Sequence, residues 1–158
     1  IIFFQQVFCL LFFYQRLLYP YHLFLEFLDF YFQICSIQVN TKKMAKIMST
    51  IANGGICPLT NKKIFSPTTI RNSLSMMYSC GMYDFSGEYA FSVGLLAKSG
   101  VSGALVIAIP NVGGFAIFSP RLDNNHNSVR GVEFSRRLVE KFSFHNYDQI
   151  DNQALQLK

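Results

Sequence analysis

Residues 104–109 read Ala-Leu-Val-Ile-Ala-Ile and residues 115–118 read Phe-Ala-Ile-Phe, with Pro110-Asn-Val-Gly-Gly114 between them. Proline fixes φ and removes a ladder donor, while glycine opens the left-handed region, so a Pro/Gly segment between two β-prone runs reverses the chain. The pattern predicts an antiparallel hairpin with a longer loop. Helical patterns surround it. Leu28–Val39 reads as an apolar helix carrying Tyr31. Thr41–Ala52 reads as a second, opened by a Thr cap, with Met44, Ile47, Met48 and Ile51 on one face and Asn53-Gly54-Gly55 as its stop. Ser66-Pro67 is a cap followed by proline at the first helical position, predicting a third helix that ends near Cys80-Gly81. Ser119–Asn127 reads as a polar loop and Ser128–Phe142 as a closing helix with Val132, Leu138 and Val139 inward. Helices, a hairpin, then a helix specify an α+β chain with helices packed on an antiparallel sheet.

Composition narrows the function classes. Of 158 residues, 51% are apolar and only 15% charged, which excludes a disordered chain. The net charge of +5 is spread over several turns and helices rather than gathered in a stripe, so a nucleic-acid surface is not expected. Cys9, Cys35, Cys57 and Cys80 form no C-x-x-C pair, and His22, His126 and His145 share no ligand spacing, so neither a disulfide framework nor a metal site is expected. Residues 1–35 hold 26 of the apolar side chains and 9 of the 17 Phe. Crossing a bilayer takes about 20 consecutive apolar residues, and Arg16, Pro20, His22, Glu26 and Asp29 break the run, so a membrane anchor over residues 1–28 is the weaker expectation. No signal or transit peptide is visible. The chain opens on Ile1, and its start is not expected to be the start of a gene product.

The chemistry-bearing motifs are few. No Ser is followed three residues later by Lys, and no Gly-x-Ser-x-Gly elbow occurs, so an activated serine is missing from this sequence. Cys80 with His145 could be drawn as nucleophile and base, but a lone Cys is more often a small buried hydrophobe. Lys98-Ser99-Gly100-Val101 has more content: a Lys-Ser-Gly triplet entering a β run presents a cation, a hydroxyl and a free backbone N–H together.

Several blocks together resemble one family. LDFYFQICSIQV (28–39), IANGGICPLT (51–60), SMMYSCGMYDFSGEYAF (75–91), AKSGVSG (97–103), IPNVGG (109–114), SPRLDNNHNSVRG (119–131) and FHNYD (144–148) are similar, collinearly, to the animal kidney/liver-type glutaminases. The resemblance implies a partial serine-β-lactamase-like domain, with residues 28–158 as the C-terminal portion of the catalytic domain and residues 1–27 as an unmatched hydrophobic leader. It implies hydrolysis of L-glutamine to L-glutamate and ammonia without a cofactor or metal. It also implies a mitochondrial location and a homo-oligomer, a tetramer in the intact family. Residue by residue, it makes Tyr83 the proton-transfer partner and substrate contact, Val101 the donor of an oxyanion-stabilising N–H, and Tyr31 a substrate-binding position. Lys98 is the cation expected to support Tyr83, since a free phenol titrates near 10.

Two positions depart from the family pattern. Leu96 stands where the family has Pro, and His126 stands where it has Gly in a loop that prefers Gly. The Ser-x-x-Lys nucleophile pair lies upstream in the family, so this chain by itself is expected to be inactive. The alternatives are a non-catalytic partner of intact glutaminase subunits and a small membrane-associated protein.

Overall fold

The computed structural model describes residues 21–148; the leader read over residues 1–27 lies largely outside them, as do residues 149–158. The chain divides into two compact units, Ile1–Val39 and Asn40–Lys158. In the first, α1 spans Tyr21–Cys35, beginning earlier and ending sooner than the helix read over 28–39. Its end has a local cause: the Ser36 hydroxyl and N–H both turn back onto the Phe32 carbonyl, at 2.7 and 3.0 Å. Such back-bonding competes with continuation of the helix. Among the described residues, no helix is long and apolar enough to cross a membrane.

The second unit begins with α2, Thr41–Ala52. Its cap is Asn40 and not Thr41: the Asn40 side chain accepts the Lys43 N–H at 2.9 Å. Asn outranks Thr at this position, so the cap moves one residue outward. The buried face is Met48, Thr50, Ile51 and Ala52, while Ile47 is exposed. Helix α3, Pro67–Cys80, has the predicted Ser66 cap and Pro67 in its first turn. A 3-10 turn, Tyr83–Phe85, leads into the short α4, Ser86–Ser92. The strands are β1 (Leu96–Ser99), β2 (Ala104–Ile109) and β3 (Gly113–Phe118), followed by α5 (Val129–Phe142).

The predicted hairpin is β2 and β3, paired from Ala104↔Phe118 to Ile109↔Gly113. β1 adds a third antiparallel strand, with Leu96 opposite Ala108 and Ser99 opposite Leu105. Successive side chains of β2 point to opposite faces. Leu105, Ile107 and Ile109 join Ala97, Tyr89, Val93, Val132 and Leu138 in the main core. Val106 and Ala108, on the other face, are buried as well. Helices therefore cover both faces. α2 lies on β3 so closely that a Cβ on Gly114 would meet the backbone of Met48 and Ser49, and the Gly114 N–H donates to Ser49 Oγ at 3.2 Å.

Two contacts order the long Gly-punctuated stretch between α3 and β2. A Cβ on Gly81 would lie 1.8 Å from the Ala97 carbonyl oxygen and 2.2 Å from that of Met77. Here the end of α3 runs directly against β1, and Ser99 N–H donates to the Gly81 carbonyl at 2.9 Å. At the far end of α4, Gly94 (φ +64°) lies under the His145 ring, only 2.2 Å from where its Cβ would stand. His145 Nδ1 accepts the Tyr147 N–H at 3.2 Å, which leaves Nε2 as the protonated nitrogen facing the Phe91 carbonyl at 3.3 Å. Cys80, sketched in sequence as a partner for His145, instead directs its thiol to the Met76 carbonyl at 3.2 Å.

Two substitutions test this frame. Gly81→Ala is expected to destabilise the second unit by about 3 kcal/mol, since the added methyl meets backbone on both sides; a urea midpoint unchanged within error would contradict the contact. His126 sits at φ +63°, the left-handed conformation that Gly adopts without steric cost. His126→Gly is expected to raise stability by roughly 0.5–1 kcal/mol, read as a higher urea midpoint at constant slope.

Candidate active site

The site is built where α3 runs into β1. Three turns of sequence logic set it up: α3 stops at Cys80, Gly81 allows the backbone to reach the strand, and Tyr83 then enters the 3-10 turn at φ +57°. An aromatic residue in the left-handed region is uncommon and costs on the order of 1–3 kcal/mol. It is held by short bonds. Met82 N–H donates to Ser86 Oγ at 3.0 Å, and Ser86 Oγ donates to the Tyr83 carbonyl at 2.6 Å.

The turn points the Tyr83 ring at Lys98. The ammonium lies 4.6 Å from the ring centroid, over its face. Lys98 is only 8% exposed, and its Nζ donates to the Ser99 carbonyl at 2.6 Å. This satisfies one of its three donors, and the ring face attracts the charge electrostatically. Burial dominates all the same, pushing the Lys98 ammonium down to about 8, opposed by nearby Cys80. The Tyr83 phenol moves the other way: burial raises it, and the Val101 backbone amide acts against that by favouring the phenolate. Val101 sits in the β1–β2 turn, which is closed by Gly100 N–H to the Ala104 carbonyl and Gly103 N–H to the Gly100 carbonyl, both at 2.8 Å. That ladder does not use the Val101 N–H.

Buried polar atoms without a partner occur on residues of this region and at the Tyr89 hydroxyl in the core. The Tyr83 hydroxyl, Ser99 Oγ and Asn127 Oδ1 are buried and have no hydrogen-bond partner among the described residues. All three belong to residues that form, or bond to, the Gly81–Tyr83 segment: Ser99 through its N–H, and Asn127 through Nδ2 to the Met82 carbonyl at 3.2 Å. Buried groups are normally paired, so these atoms are candidates for a polar partner that the fold itself does not supply. Asn127, the last residue of the segment that reads as a polar loop, is fully buried.

Of the four residues singled out from the sequence, Tyr83, Lys98 and Val101 are brought together. Tyr31 lies on α1 in the first unit, half-buried, with its ring 5.9 Å from that of Phe32. Among the described residues no group of three or more His, Cys, Asp or Glu is placed to hold a metal ion.

A family model described as Glutaminase matches residues 13–147. The chain belongs to the glutaminase family. Putative glutaminase 2 of Caenorhabditis elegans is 57% identical over 121 residues, covering 77% of this chain and 20% of the relative. The mouse glutaminase liver isoform, mitochondrial, is 52% identical over 130 residues, covering 82% of this chain and 22% of the relative. A crystal structure of the protein Mglu superposes with a TM-score of 0.65 at 43% identity, covering 68% of this chain and 27% of that one. Mglu has also been solved in its glutamate form. The α+β fold read from the sequence is thus a glutaminase fold, and the chain spans about a fifth of the length of its animal relatives.

The buried ammonium gives this glutaminase segment a pH signature. In the unfolded chain Lys98 titrates near 10.5 and in the folded chain near 8, so between these values the unfolded state binds more protons and stability rises with pH. Tyr83 acts with opposite sign only above about 10, its unfolded value. Urea stability is therefore expected to climb from pH 8 to 10, by at most roughly 3 kcal/mol, and Lys98→Met should flatten the climb. An unaltered slope in Lys98→Met would assign it elsewhere.

Proposed function

We propose that the chain supplies the later part of a glutamine-hydrolysing site, in which Tyr83 transfers protons, Val101 N–H stabilises the oxyanion and Lys98 supports the phenol. The observation carrying this is the Lys98 ammonium over the Tyr83 ring, beside a buried Tyr83 hydroxyl that the fold leaves unpartnered and a β1–β2 turn whose closing bonds do not use the Val101 N–H. Amide hydrolysis needs these elements. Attack on the side-chain carboxamide moves the carbonyl electrons onto oxygen, and an N–H already aimed at that oxygen lowers the barrier without reorganisation. Breaking the C–N bond then requires a proton on the departing nitrogen, so that ammonia leaves instead of an amide anion.

Burial keeps Tyr83 protonated at neutral pH, which suits it to give that proton, and the ammonium over its ring eases the transient phenolate. Once water has attacked the acyl intermediate, its proton restores the phenol. The serine that attacks first is not in this sequence and would come from another part of the intact domain. Tyr31 is proposed as a further substrate contact, on the family resemblance alone. A mitochondrial location and a tetramer are proposed on the same ground, the former supported by the mouse and rat liver-type relatives.

A chimera tests the assignment: residues 28–148 replace the matching segment of the mouse liver isoform, and ammonia release from glutamine is followed. The chimera should turn over glutamine, Tyr83→Phe in it should lower kcat by about 100-fold or more, and the 158-residue chain alone should give only background. A folded chimera without turnover, or one indifferent to Tyr83→Phe, would overturn the reading.

A further inference from the structure

We propose that Asn127 is a positioning residue for Tyr83, fixing from a distant loop the peptide unit that sets the phenol's direction. The inference rests on the reading of Tyr83 as the proton-transfer group, and it concerns a residue that neither sequence motif nor resemblance assigned to the site. A left-handed aromatic persists only where its surroundings over-determine it. Ser86 contributes to that from within the same turn, through its bonds to Met82 N–H and the Tyr83 carbonyl. The Met82 carbonyl, which belongs to the peptide immediately preceding Tyr83, receives the local Phe85 N–H at 3.2 Å and the Asn127 amide, also at 3.2 Å. Asn127 is the only one of these partners from outside the turn, and it is 45 residues away in sequence.

Its own placement is rigid. Asp123 Oδ1 accepts the N–H groups of Asn125 and Asn127, each at 2.9 Å, and Asp123 N–H donates to the Asn127 carbonyl at 2.8 Å. The next residue, Ser128, is also fully buried: its hydroxyl donates to the Ser119 carbonyl at 3.0 Å and caps α5 at Gly131 N–H. Since the Ser119 N–H in turn donates to the Gly103 carbonyl at 2.8 Å, the loop holding Asn127 is tied to the β1–β2 turn that carries Val101. Asn127 thus couples two parts of the site through a chain of hydrogen bonds, Tyr83 on one side and the Val101 turn on the other.

The residue type matters. A carbonyl must be met by a donor, which Asn has and Asp in its ionised form lacks. A residue serving packing alone would also not keep a buried amide oxygen unpaired, as Asn127 does. The buried Oδ1 is an acceptor that the fold leaves open.

The test labels the eight tyrosines of the 158-residue chain with 13C at Cζ and follows each resonance with pH, assigning Tyr83 by its loss in Tyr83→Phe. In the unsubstituted chain the Tyr83 phenol should titrate above about 10, the ordinary value. Asn127→Ala should bring it down to that value and shift its resonance while the other tyrosines stay put. Asn127→Leu, which keeps the side-chain volume and loses the donor without adding a charge, should do the same and guards against a cavity effect. An unmoved Tyr83 titration in either folded variant overturns the proposal, as does a collective shift of all tyrosines in both, which would make Asn127 a scaffold residue. The chimera separates this from the reading beneath it: a moved Tyr83 resonance with turnover indifferent to Tyr83→Phe keeps the positioning and sinks the catalytic reading.

Discussion

Everything in the second unit that bears on chemistry depends on the approach of Gly81 to β1. Where another residue would place a Cβ, the Ala97 carbonyl already stands. Because the end of α3 can run flat against the strand, the next residues turn over its edge, and a ring two positions on comes to rest beneath an ammonium on the same strand. A single missing side chain converts helix packing into the geometry of a site.

That geometry is held in tension with local preference. The left-handed Tyr83, the buried Lys98 and the unpaired hydroxyl of Ser99 each run against what an isolated segment would adopt, and they lie within a few residues of one another in space. Other departures lie away from it, among them the left-handed His126 and the unpaired Tyr89 hydroxyl, while α2, α3 and α5 are capped and an apolar β2 is covered on both faces. Segments in which local choices conflict with the global fold are where function is ordinarily found. Here the conflicts coincide with the motifs that resemblance to the family had marked.

The legible parts of the fold were those with strong punctuation. Pro110 to Gly114 announced the hairpin, Ser66-Pro67 announced α3, and both are present. β1 and α4 were not legible as elements for a physical reason. Four residues buried on both faces show no alternation, and seven helical residues span barely two turns, too few for a 3.6-residue period to emerge. Lys98 and Ser99 were visible as a motif but not as buried groups, since a Lys reads as solvated unless its surroundings are known. Asn127 was invisible for the same reason in reverse: a stretch of Asp, Asn and His looks like surface, and only the fold shows one of its members turned inward. Tyr83 and Val101 came from resemblance; the structure adds the Lys98 ammonium over the Tyr83 ring.

The close cover of Gly94 by His145 couples two distant positions. The ring fills the space that any side chain at position 94 would take, and its two nitrogens are committed to the backbone at Phe91 and Tyr147. A side chain at position 94 would therefore displace the imidazole at position 145, and with it the clasp on the last turn of the described residues. The two positions are sterically one unit, although 50 residues of sequence lie between them.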